Sequence, residues 1–157
     1  RGLGDVYKRQ PYLLERAQIY MNNDQARNAM LDYDAYYKAV NGQVNDLFYY
    51  YREQAALKAR QYQRALDDIV KAIELSPKDL TYRAEHAVVN LRVGRYEESM
   101  KILNEILKDE PKYGEAYRLL GLCQIQLKKT DEACGNFNKA KELGDPNVDE
   151  LIKKYCK

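Results

Sequence analysis

The chain has 157 residues, 45% of them hydrophobic and 32% charged, with 26 Lys+Arg against 24 Asp+Glu. That composition excludes a disordered chain, and the near-balance of charge excludes the basic track that nucleic acid requires. No apolar run approaches the ~18 residues that would span a bilayer, and the length suits one domain.

The first ten residues stand apart. Arg1-Gly2-Leu3-Gly4 leads into Asp5-Val6-Tyr7-Lys8-Arg9-Gln10, which resembles the translation of a transposase mosaic-end adaptor used to fragment DNA for sequencing. Residues 1–10 are therefore expected to be non-native, with the true N-terminus missing and no leader to report the compartment. Such a scar points to shotgun-sequenced microbial DNA, and a bacterial source is the expectation. Without Arg1, Asp5, Lys8 and Arg9 the 26 and 24 charges fall to 23 each, so the nominal pI of 8.3 carries no sign of an anionic partner.

From Pro11 onward one pattern returns. Ala17, Tyr20 and the turn Asn22-Asn23-Asp24 precede a comb at Ala29, Tyr33 and Tyr36. Next come Glu53, the turn at Arg60, Tyr62, the comb Ala65, Ile69, Ala72, and Pro77. Then follow Ala87, Gly94, Tyr96, the comb Ser99, Leu103, Ile106, and Pro111. Last are Tyr117, Leu120, Gly121, the comb Ala133, Phe137, Ala140, and Pro146. The last three combs are 34 residues apart, and the first lies 36 before the second, which places two extra residues in the connection Asn41-Gly42-Gln43. Steps of four and three put each comb on one helix face. Gly121 is expected to let the two helices of its pair approach closely. Asp145 can N-cap a closing helix with Pro146 at its first position. Val148, Leu151, Ile152 and Tyr155 then form its apolar face, with Asp149, Glu150, Lys153, Lys154 and Lys157 outside.

A ~34-residue period with Ala-x3-Phe-x2-Ala spacing and a closing proline resembles the tetratricopeptide-repeat (TPR) family. The resemblance covers about residues 11–146. It implies an all-α, right-handed superhelical solenoid of about four helix-turn-helix repeats, 11–45, 46–79, 80–113 and 114–145, with a capping helix at 146–157. It further implies a protein-interaction scaffold or adaptor, neither enzyme nor cofactor binder, holding a peptide or partner domain in its concave groove. Carried over from the family, the groove positions are Leu14, Gln18, Met21 and Asn22; Tyr50, Gln54, Leu57 and Lys58; Ala84, Val88, Leu91 and Arg92; and Arg118, Leu122, Ile125 and Gln126. Apolar residues with amides suit a peptide with apolar anchors.

The family's carboxylate clamp for chaperone tails needs Lys, Asn, Asn, Lys and Arg. Here those positions hold Leu14, Gln18, Tyr51, Thr81 and Glu85, or, one repeat along, Tyr50, Gln54, Glu85, Glu115 and Leu119, so no chaperone-tail binding is expected. Of 15 tyrosines, Tyr50 in the run Phe48-Tyr49-Tyr50-Tyr51 is the expected groove hot spot.

Catalytic signatures are missing: His86 is a lone helical histidine, and Asp67-Asp68 and Glu97-Glu98 read as solvated faces. No metal site is expected from Cys123, Cys134 and Cys156, whose spacing matches no zinc pattern. They read as buried thiols, or, in an exported protein, as a Cys134–Cys156 disulfide stapling the cap. Two other functional readings stay open. The chain could be the C-terminal regulatory region of a larger enzyme or signalling protein, or it could self-associate through an uncapped N-terminal edge.

Overall fold

Each helix pair closes through the same left-handed turn residue, and that turn sets the repeat. In the computed structural model, which describes the backbone of residues 3–156 and the side chains of residues 11–156, Asp24, Arg60, Gly94 and Lys128 have φ of 56°, 60°, 81° and 61°. The residue after each donates its N–H five residues back: Gln25 to Tyr20, Gln61 to Ala56, Arg95 to Asn90 and Lys129 to Gln124, at 2.8–2.9 Å. These bonds satisfy carbonyls that the helix end would leave unpaired and reverse the chain within three residues.

The described residues form helices and no strand. They are α1 (Leu3–Asn22), α2 (Ala26–Ala39), α3 (Asp46–Lys58), α4 (Tyr62–Leu75), α5 (Leu80–Arg92), α6 (Tyr96–Asp109), α7 (Gly114–Gln126), α8 (Thr130–Glu142) and α9 (Asp149–Tyr155). The fold is an all-α helical repeat. Of the segment expected to be non-native, residues 1 and 2 and the side chains of 3–10 lie outside the described residues, while the backbone of 3–10 belongs to α1. The contacts divide the chain into two compact units, Arg1–Pro77 and Lys78–Lys157.

In the first unit α1 packs on α2, α2 on α3, and α3 on α4. The comb residues Ala29, Ala65, Ile69 and Ala72 are fully buried, as are Ala17, Ala55 and Ala56 opposite them. Two arginines span the pairs: Arg16 grips Asp32 at 2.7 and 2.6 Å, and Arg52 grips Asp68 at 2.8 and 2.7 Å. The paired geometry satisfies charges that burial would otherwise penalise. Glu53, at the family's small-residue position, is fully buried. Six residues (40–45) connect α2 to α3, whereas four (76–79) connect α4 to α5 and four (110–113) connect α6 to α7.

In the second unit α5 packs on α6, α6 on α7, and α7 on α8, with α9 on α8. Ser99 donates its hydroxyl to the Ala87 carbonyl at 2.7 Å, which lets a polar residue hold a fully buried comb position. Gly121 faces the Phe137 ring so closely that a Cβ there would lie 2.4 Å from Cε1.

The closing helix differs from the sequence expectation. It begins at Asp149, not at Pro146, and Asp145 is not its cap. The Asp145 carboxylate instead accepts from Arg118 Nε at 3.0 Å and from the Asn147 N–H at 2.8 Å. That fixes residues 145–148 as a turn, which drops Val148 into the core at full burial beside Ala133, Phe137 and Ala140. Leu151, Ile152 and Tyr155 then lie over the same cluster, with the Tyr155 ring stacked on Phe137 at 6.4 Å. Cys134 and Cys156 are disulfide-bonded, with Cα atoms 5.6 Å apart, while Cys123 is a buried thiol.

Candidate binding site

The first unit holds a cavity of about 500 Å³ between α1 and α3, with α2 as its floor. Leu14 and Gln18 come from α1, Tyr33 and Tyr36 from α2, Gln43, Val44 and Asn45 from the long connection, and Leu47, Phe48 and Tyr51 from α3. Every lining side chain is uncharged. Asn45 also caps α3, accepting from the Phe48 N–H at 3.0 Å, so the wall of the cavity is tied to the start of a helix. Burial, and then the nearby Tyr51 phenol, push Tyr33 up to about 12. Tyr51 is 40% exposed and Leu47 44%, which makes a partly apolar rim.

An aromatic cage around Arg52 sits beside the cavity and shares Phe48 with it. The Arg52 guanidinium lies 4.8 Å from the centre of the Tyr37 ring, 5.2 Å from Phe48 and 5.7 Å from Tyr49. Asp34 bridges Arg52, at 3.6 Å, and Arg64.

The residues expected to line a groove separate by location. Leu14 and Gln18 line the cavity. Met21 and Ala84 are core, at 8% and 4% exposure. Tyr50 does not line the cavity; its ring sits 5.6 Å from that of Tyr51, which does. Gln54 and Leu57 are half-buried on α3, and Asn22 and Lys58 are exposed near the turn, where Gln18 bonds Asn22 and Lys58 reaches Asp24. In the second unit Val88, Leu91 and Leu122 pack against the α5–α6–α7 core, and Ile125 against the α8–α9 cluster. Arg118 is engaged by Glu115 and Asp145, leaving Arg92 and Gln126 as the exposed members there. Also on α5, burial, and then the like charge of Glu115, raises the Glu85 carboxyl, against the pull of Arg92.

Sequence reasoning did not assign Tyr33, Tyr36, Gln43, Val44, Asn45, Leu47, Phe48 or Tyr51 to the groove. The two-residue lengthening of the α2–α3 connection was the signal, because that connection supplies three of the lining residues. Among the described residues no His/Cys/Asp/Glu group could hold a metal ion, and no helix is long and apolar enough to cross a membrane.

Comparison with known proteins places this architecture. A family model described as anaphase-promoting complex, cyclosome, subunit 3 matches residues 22–106, and one described as tetratricopeptide repeat matches residues 85–148. The chain is 30% identical over 99 residues to small glutamine-rich tetratricopeptide repeat-containing protein 2 of Mycosarcoma maydis, covering 63% of this chain and 28% of that one. It is 32% identical over 101 residues to heat shock protein STI1 of Saccharomyces cerevisiae, covering 62% of this chain and 17% of that one. This chain therefore spans under a third of the length of either relative. Among solved structures, YrrB, described as a TPR protein with an unusual peptide-binding site, superposes with a TM-score of 0.73 at 18% identity, over 88% of this chain and 70% of that one. The first TPR of Spaghetti, bound to the HSP90 peptide SRMEEVD, superposes at 0.62 with 21% identity, over 71% of this chain and 87% of that one. The chain belongs to the tetratricopeptide-repeat family, whose proteins act as protein-interaction scaffolds and adaptors.

Proposed function

We propose that this chain binds an uncharged, extended segment of a partner protein and seats one apolar or aromatic side chain in the α1–α3 cavity, without catalysis. The observation that carries this reading is the wholly uncharged lining of a cavity large enough for an aromatic side chain and its flanking backbone. Leu14, Leu47 and Tyr51 would hold the anchor, while the Gln18, Gln43 and Asn45 amides would bond the peptide backbone. In the second unit, taken by itself, Val88, Leu91, Arg92, Leu122, Ile125 and Gln126 are the proposed partner contacts. A chaperone tail is a poor match, because Leu14, Gln18 and Tyr51 stand where a clamp places Lys and two Asn. The near-neutral surface likewise argues against nucleic acid.

The test is peptide selection against the chain, followed by calorimetry on the best binder. Tyr51→Ala should weaken it by about tenfold or more, the scale of a ~1.4 kcal/mol hot spot. Its Tm should barely move, since Tyr51 is 40% exposed. Saturable binding of SRMEEVD that outcompetes the selected peptide would refute the reading. A second reading, an interaction arm of a longer protein, is favoured by the much greater length of the two relatives.

A further inference from the structure

The floor of the α1–α3 cavity holds a polar group that the fold itself does not satisfy. Tyr33 is 3% exposed, yet its hydroxyl bonds none of the described residues. That hydroxyl is not sealed into the core either, and the Tyr33 side chain lines the cavity. A ligand that fills the space dry would leave the phenol unpaired, at a cost in free energy, unless it brings an acceptor. The hydroxyls of Tyr36 and Tyr51, which share the lining, likewise bond none of the described residues.

The wall repeats this one-sided chemistry. Asn45 commits its side-chain oxygen to the Phe48 N–H at 3.0 Å, so its amide NH2 is the group left to the cavity. Rings at two angles lie between these donors. Phe48 stands edge-on to Tyr33, at 85° and 5.7 Å, and close to parallel with Tyr36, at 30° and 5.6 Å. The lining thus combines aromatic surface with hydrogen-bond donors and carries no charge.

Proline-rich backbone is the complement of such a lining. In the polyproline II form the carbonyls have no internal hydrogen bond and point outward. Proline has no N–H that would itself need an acceptor. Its rings pack on aromatic side chains, and the extended helix is formed before it binds. A phenylalanine side chain fills the same space but brings no acceptor to Tyr33.

We infer that the cavity takes a proline-rich segment of a partner protein in the polyproline II form. Tyr33 and Asn45 donate to its carbonyls, while Tyr36, Phe48 and Tyr51 receive its rings. This rests on the cavity being the binding site, and it narrows the occupant from any uncharged segment to one class.

A capped decaproline peptide is the probe, and a capped glycine-serine peptide carrying one phenylalanine is the control. Each is titrated into the full chain by calorimetry, with backbone amide shifts followed on isotope-labelled protein. Decaproline should saturate, with shifts centred on residues 43–51, and bind at least about fivefold more tightly than the control. Tyr33→Phe deletes only the hydroxyl and should weaken decaproline by about fivefold, the scale of one hydrogen bond. Asn45→Asp keeps an oxygen to cap α3 and removes the donor, so it should weaken decaproline by a similar factor. Because Asn45 is exposed, that variant carries the test if Tyr33→Phe disturbs the core. The proposal is overturned if decaproline does not saturate, if its shifts centre elsewhere, or if Asn45→Asp binds it as the parent does. If the control alone saturates at residues 43–51, the proline assignment falls and the cavity remains the binding site. If neither saturates and peptide selection yields no cavity ligand, both readings fall together.

Discussion

At the scale of single residues, Gly121 shows how one missing atom sets the distance between two helices. Alanine there would place Cβ 2.4 and 2.6 Å from Cε1 and Cδ1 of Phe137, a ring that is fully buried and enclosed by Ala133, Ala140 and Val148. Two effects oppose each other. Alanine favours helix over glycine by about 1 kcal/mol, while forcing a methyl into a filled core costs about 1–3 kcal/mol. The ring has no free side to swing toward, so overpacking wins. Gly121→Ala should lower Tm by roughly 2–6 °C, given about 2–4 °C per kcal/mol at this size. Thermal unfolding followed by circular dichroism checks it, and a Tm above the parent's would mean the ring can yield. The role of Gly121 was legible in the sequence because its spacing to Phe137 is that of a family motif. The place of Tyr51 in the cavity was not. One step along a helix turns a side chain by about 100°, and a run of four aromatics gives no polar contrast by which to choose between Tyr50 and Tyr51.

Between elements, the comb could be read because its small and large members recur at one spacing and end up buried together. The start of α9 could not. Asp145-Pro146 has the form of a cap and first turn, but Arg118, 27 residues earlier, takes the carboxylate. A tertiary ion pair of that kind leaves no local trace. Charge placed between elements also makes a pH prediction. Glu85 on α5 has its carboxyl raised by burial and then by Glu115 on α7. A raised folded pKa means that the folded state holds the proton more tightly than the unfolded chain does. The corresponding stability is complete below the unfolded value of about 4.3 and is lost as pH rises through the folded value. At pH 7 the ionised carboxylate is therefore a burden. Glu85→Gln should be more stable than the parent at neutral pH, and the gap should close as pH falls toward 4. Urea unfolding at both pH values measures it; a gap that widens on acidification would show that Arg92, not Glu115, governs this carboxyl.

For the molecule as a whole, charge decides what kind of partner can be held. The formal net charge is +2 over 157 residues, and the cavity lining contributes none of it. A receptor that grips carboxylates through Lys and Arg loses affinity as salt rises, because screening shortens from about 10 Å at 0.1 M to roughly half that near 0.5 M. An apolar anchor with amide bonds to its backbone has no such charge pair to screen, and salting-out strengthens apolar burial slightly. The affinity of the selected uncharged peptide should therefore change by less than about twofold between roughly 0.05 and 0.5 M sodium chloride. If the affinity fell steeply with salt, charge near the rim would have to carry recognition, and the uncharged lining would no longer explain what the cavity selects.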